Sequence, residues 1–339
     1  MSRNVRASDA GELDAGSCLT GAWRYLRALC ALSGLALFMA SAVDASRTGG
    51  LTLHESQPDA VALAGGHGIG SWESAVFTLP GQSGSLPFQL FTPEVVLSPD
   101  TQPQERSVPS LDYVPLVVFL HGSGEAGTDN EQHMYFDRNV GPAFFGSPAV
   151  QQHYPAFVLA PQTPRKIRWA STSLHEYDFA TTPMTVSMKL LFALIDKQLA
   201  VLPVDRQRVY IGGLSRGGHG TWNALLHRPG FFAAGFPMAG GGSPAYAARI
   251  SHLAIWAFHG DADEITPLRY TQRMYGAVWA LSPHSERLRL SVYAGGIHRS
   301  AWLRGHREPD FPGWIFQWRN PNVDAPPQQA FDDMAVHND

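Results

Sequence analysis

The sequence predicts an α/β fold built on a central, mostly parallel sheet flanked by helices. Three observations carry this. Apolar runs such as VPLVVFLHG (114–122) and YPAFVLAPQ (154–162) are almost unbroken, as in strands covered on both faces. Segments of helical period lie between such runs, so strand and helix alternate along the chain. The 339 residues have an ordinary globular composition and suffice for a large core.

The first element is a leader. Residues 28–43, ALCALSGLALFMASAV, form an uncharged apolar run behind Arg24 and Arg27. The run is short for a membrane span, which needs about 20 apolar residues. A positive flank, an apolar stretch and small residues after it describe a secretory signal, with cleavage at Ala40-Ser41-Ala42 or Val43-Asp44-Ala45. The segment before Arg24 is long for an n-region, so either the start lies downstream or the leader is extended. Residues 1–45 are therefore read as leader and 46–339 as one domain, with 320–339 a loose tail. Location is expected to be secreted or periplasmic, with membrane contact only through an uncleaved leader. Both cysteines, Cys18 and Cys30, lie in the leader, so the mature chain holds no disulfide or thiolate metal site.

SAVFTLP (74–80) and LPFQLFTPEVV (86–96) flank a Gly-rich turn and predict an N-terminal antiparallel hairpin. A polar loop over 97–113 precedes the first buried strand. Residues 182–200 place Met188, Leu191, Ile195 and Leu199 on one helix face, with Thr182 as the expected cap before Pro183. RVYIGG (208–213), GFPMAGG (235–241), LAIWAFHG (253–260) and LRLSVYAGG (288–296) read as strands; 217–227, 267–281 and 311–319 read as helices. Only residues 243–252 separate two of these strands, too few for a large lid.

Gly213-Leu214-Ser215-Arg216-Gly217 is G-x-S-x-G between a strand and a helix. A sharp strand-to-helix turn strains the serine backbone, and the glycines remove side chains that would collide. A serine hydroxyl needs a base, and the base an orienting carboxylate. The expected order is Ser, Asp, His, each after a strand. Asp261 and Asp263 follow LAIWAFHG, and His298 follows LRLSVYAGG. Asp263 is favoured because it lies further round the loop towards the histidine; Asp261 is the alternative. Oxyanion donors are expected at the backbone N–H of Arg216 and of Ser123, with Gly122 the alternative to Ser123. His121 and Gly122, at the base of that glycine-rich turn, are assigned to substrate contact. So is Trp169, in the candidate covering loop 162–179, as an aromatic wall; a satellite core tryptophan is the competing reading.

Other chemistries find little support. The net charge of −4 suggests neither nucleic acid nor an anionic membrane surface as partner. No ligand set has convincing metal spacing, no Gly-Lys-Ser/Thr follows the glycine-rich turn, and no cofactor is expected.

Taken in order, LVVFLHGSGEAGTDN, YPAFVLAPQ, GGLSRGGHGTW, FHGDADEITP and HRSAW resemble the α/β-hydrolase superfamily. More narrowly they resemble secreted polyhydroxyalkanoate-depolymerase-like and feruloyl-esterase-like serine esterases, also described as phospholipase/carboxylesterase-like. The resemblance spans about residues 71–319. It implies Ser215 as nucleophile, Asp263 as orienting acid, His298 as base, and donors at Ser123 and Arg216. The implied substrate is a small or polymer-linked carboxylic ester. A peptidase of the same fold and a non-catalytic binding module are the rivals. Two residues depart from the pattern. Arg216 stands where relatives carry Met or Gln, and His219 where they often carry an aromatic. Arg216 either changes the polarity of the pocket floor or turns away into solvent or an ion pair, the reading favoured here.

Overall fold

Strand β3 (Val114–Leu120) is buried along its whole length, as its unbroken apolar sequence requires. Its side chains divide by alternation: Leu116, Val118 and Leu120 enter one core, Val117 and Phe119 the other. The computed structural model describes residues 69–94, 113–134, 140–170 and 177–323. These fall within one compact unit, Ala64–Asp339; a separate unit, Met1–Leu63, lies outside the described residues. Also outside them are the expected leader 1–45, residues 97–112 of the polar loop, and the tail from 324.

The other strands are β1 (Gly70–Thr78), β2 (Ser85–Pro93), β4 (Phe157–Pro161), β5 (Val204–Leu214), β6 (Ala234–Met238), β7 (Ala254–Gly260) and β8 (Leu288–Tyr293). They form one open sheet in the order β1-β2-β4-β3-β5-β6-β7-β8. The β1/β2 hairpin is antiparallel, joins β4 antiparallel, and every later pairing is parallel. This is the expected α/β-hydrolase architecture.

The helices are α1 (Gly141–Phe145), α2 (Pro148–Gln151), α3 (Val186–Val201), α4 (Arg216–His227), α5 (Arg269–Leu281), α6 (Ser300–Gly305) and α7 (Gly313–Phe316). Helices α3, α4 and α5 bring Met188, Leu191, Leu225 and Met274 to one face of the sheet. The opposite face is covered from α1, α6 and α7 by Phe145, Trp302 and Trp314. Helix α3 starts later than the sequence suggests. Thr185, not Thr182, is its N-cap: its Oγ1 accepts the Met188 N–H at 3.0 Å and donates to Trp169 O at 2.8 Å. Thr182 instead closes a turn onto Asp178 O. Between β6 and β7 the chain makes only a short 3-10 segment, Pro244–Ile250, with no inserted cap.

Candidate active site

Ser215 sits at the junction of β5 and α4 with φ 53° and ψ −114°, on the positive-φ side that a residue with a Cβ avoids. Neighbouring elements hold it there. Its N–H donates to Met238 O at 2.8 Å, and its carbonyl accepts the His219 N–H at 3.1 Å. A Cβ at Gly217 would overlap the Leu120 carbonyl, and one at Gly213 would come within 2.5 Å of it. The pattern of glycines is thus what lets helix and strand meet with the hydroxyl presented outward.

His298, on the turn after β8, joins two distant residues. Its Nε2 lies 2.8 Å from Ser215 Oγ and its Nδ1 lies 2.6 Å from Asp263 Oδ2. The carboxylate can only accept from Nδ1–H, which leaves Nε2 to accept the serine proton. The imidazole also meets the Trp302 ring edge-on at 5.1 Å. Asp263 is buried on the turn after β7, whereas Asp261 is exposed and outside the chain of bonds. Asp263 Oδ1 accepts the N–H groups of Ile265 and Thr266 at 2.9 and 2.8 Å. Burial alone would raise its pKa. Hydrogen bonds from His259, His298 and Thr266 N–H outweigh that and hold the carboxyl well below the usual range, so it is ionised.

His259 is a partner that the sequence reading did not single out. It is fully buried, with Nε2 3.1 Å from Asp263 Oδ2 and 2.7 Å from Thr266 O, and Nδ1 2.7 Å from Thr271 Oγ1. Its place two residues before Asp261, at the end of a buried strand, was the available signal. The acid and base turns are also stitched together, by Ala262 N–H to Gly296 O at 3.0 Å.

The turn after β3 lies across from the serine. Arg216 opens α4, so its N–H has no acceptor within the helix. Its side chain does not turn away, as expected, but reaches this turn: Nε donates to Ser123 Oγ at 3.1 Å. Ser123 and Gly124 are exposed, while Gly122 is buried. The N–H of Gly122 faces the Glu125 carboxylate, and a Cβ there would meet Leu214 at 2.6 Å and Glu125 at 2.8 Å. Packing thus fixes this position as glycine. Glu125 itself is buried with Oε2 unpaired; burial raises its pKa against the pull of Arg216 and His298.

Two further assignments are corrected. His121 is buried inside the turn: Nδ1–H donates to Gly122 O at 2.6 Å and Nε2 accepts the Thr163 N–H at 3.0 Å. Burial pushes its pKa down to about 3, so the ring is a neutral brace and not a substrate contact. Trp169 has no exposed surface; its Nε1 donates to His121 O at 3.1 Å and its ring meets His121 edge-on at 5.4 Å. Gly220 of α4 lies against it so closely that a Cβ would sit 2.5 Å from Trp169 Cβ. It is a core tryptophan with no face left for a sugar or phenol. His219 likewise turns inward onto the Gly241 backbone. Residues 171–176 of the candidate covering loop lie outside the described residues. No group of three metal-binding side chains occurs among the described residues.

Residues 107–302, more than half of the chain, match the Phospholipase/Carboxylesterase family. Among solved structures, a thermostable esterase is 29% identical with a TM-score of 0.63, the match covering 73% of this chain and 63% of that one. The chain thus spans less than two thirds of that relative's length. A feruloyl esterase module from Clostridium thermocellum, an S954A mutant complexed with sinapinate, is 15% identical with a TM-score of 0.48, covering 73% and 88%. FphF, a fluorophosphonate-binding serine hydrolase of Staphylococcus aureus, is 12% identical with a TM-score of 0.49, covering 73% and 99%. No curated protein matches the sequence.

Proposed function

The chain belongs to the phospholipase/carboxylesterase family of hydrolases, and from that premise we propose that it is a serine esterase whose nucleophile is Ser215. The supporting observation is one imidazole bonded on both sides, His298 between Ser215 at 2.8 Å and Asp263 at 2.6 Å. In the proposed reaction Ser215 Oγ attacks the ester carbonyl carbon while His298 Nε2 takes its proton. The backbone N–H groups of Ser123 and Arg216 receive the oxyanion. His298 returns the proton to the departing alcohol oxygen, leaving an acyl-serine. Water, deprotonated by the same nitrogen, then releases the acid. Asp263 stays ionised throughout, holding the ring and offsetting the imidazolium charge.

A fluorophosphonate probe followed by peptide mapping tests the nucleophile. Label on Ser215, lost in Ser215→Ala with a fall in turnover on the order of a million-fold, is the expected result. Label persisting on another residue refutes it. Matched short acyl esters and peptide amides test the bond: esters are expected to react faster. Export through residues 1–45 is part of the same proposal, on the strength of the apolar run 28–43. N-terminal sequencing of protein from medium or periplasm checks it.

A further inference from the structure

Among the described residues, Arg216 is an arginine whose half-buried surroundings work against its charge. Several guanidinium groups close on carboxylates: Arg228 forks onto Asp196 at 2.6 and 2.7 Å, Arg208 meets Asp205 at 2.6 Å, and Arg289 meets Asp310 at 2.8 Å; Arg206 and Arg249, both exposed, meet backbone carbonyls where water can screen them. Arg216 is half-buried yet makes no ion pair among the described residues. Its contacts are all to neutral oxygens, and all but one are long: Ser123 Oγ at 3.1 Å, Arg165 O and Ile167 O at 3.4 Å from Nη1, and Arg165 O at 3.5 Å from Nη2. Charge-assisted bonds run about 2.7–2.9 Å, so this fork is held in place but not neutralised. The carboxylate that bears on it is Glu125, which burial drives towards its uncharged form. The adjoining wall adds the exposed Arg165, whose Nη2 donates to Gln132 Oε1 at 3.1 Å, and the exposed Lys166. Asp129 and Glu131 lie beyond them on the Gln132 side, and Asp129 is already occupied by two backbone N–H groups and Gln162.

The group next to the nucleophile, touching Ser123, is therefore a planar cation with no carboxylate in contact with it among the described residues. Resting on the esterase reading above, we infer that Arg216 binds a carboxylate carried by the acyl part of the substrate, so that the preferred substrates are esters of acids bearing a second, free carboxyl group. His298 must protonate the leaving alcohol, so the alcohol lies on the histidine side. The carbonyl oxygen points at Ser123 and Arg216 N–H, and the acyl chain is the part that can run past the guanidinium.

The test compares ethyl hydrogen glutarate with its neutral isostere, in which a carboxamide replaces the free carboxylate, following acid release by pH-stat. The native protein is expected to favour the charged ester in kcat/KM by about ten- to a hundredfold, the scale of a charge-assisted bond. That ratio, whatever the absolute rates, is expected to collapse in Arg216→Gln and to survive in part in Arg216→Lys. Free glutarate is expected to inhibit the native protein at least tenfold more tightly than the uncharged diamide glutaramide, less so as salt rises, a readout that needs no variant. Hydrolysis of the neutral ester with no preference for the charged one, or a preference unchanged in Arg216→Gln, overturns the inference and leaves the esterase reading standing. Turnover of neither ester, with Ser215 unlabelled by fluorophosphonate, overturns both.

Discussion

Acidification tests the neutral braces beneath the turn after β3. His121 and His133 are both buried, and burial is the main cause that lowers their pKa values from 6.5 to about 3 and about 4. Both folded values lie below the unfolded one, so the native state binds fewer protons. The stability contributed is complete above pH 6.5 and is lost as pH falls towards 4 for His133 and 3 for His121. Between pH 7 and pH 5 an unfolded histidine goes from about a quarter to almost fully protonated, while the folded rings stay neutral. Linkage converts the difference to about 2 kcal/mol per histidine and about 4 kcal/mol for the pair. Urea unfolding followed by tryptophan fluorescence at half-unit pH steps reads this directly. His133→Gln separates it from other titrating groups, because Gln can still donate to Ala160 O, which His133 Nε2 meets at 2.9 Å. The variant is expected to lose about 2 kcal/mol less than the parent over the same span. Parallel loss in the two proteins would refute the reasoning.

Substitution at the acid turn gives the next outcome: Asp263→Asn lowers kcat on the order of ten-thousand-fold, the scale of an orienting aspartate in a serine triad, while Asp261→Asn changes it little. Steady-state kinetics on one ester decides, and the reverse ranking would move the orienting role to Asp261. Trp169→Ala is expected to cost about 3–5 kcal/mol in chemical denaturation, because it empties a filled core site. A variant of native stability with a raised KM would instead place the indole at the substrate. Thr185→Ala is expected to cost about 1 kcal/mol through loss of the α3 cap, with Thr182→Ala near neutral by the same measurement.

Where the sequence was legible, several residues agreed on one reason. The unbroken apolar run Val114–Leu120 suggests a strand covered on both faces, and it is buried along its whole length. Ser215 was legible because Gly213 and Gly217 are side chains removed for a steric cause, and that cause is local. Asp263 over Asp261 was legible from loop length alone. Lone side chains were not. Trp169 has no periodic company, and the groove that swallows it is made by Gly220 and His121, each far off in the chain. Thr182 and Thr185 satisfy the same capping rule, and only the depth at which α3 meets the sheet separates them. His121, His259 and Glu125 owe their roles to partners at the ends of other strands, which residue type does not reveal.

The link between Ala262 N–H and Gly296 O has a consequence for precision. It couples the carriers of Asp263 and His298 through main chain, with no rotatable side-chain torsion between them. A displacement of one turn is thereby passed to the other through the backbone. A substitution on the outer rim of either turn that leaves this main-chain bond intact therefore leaves the two turns in register.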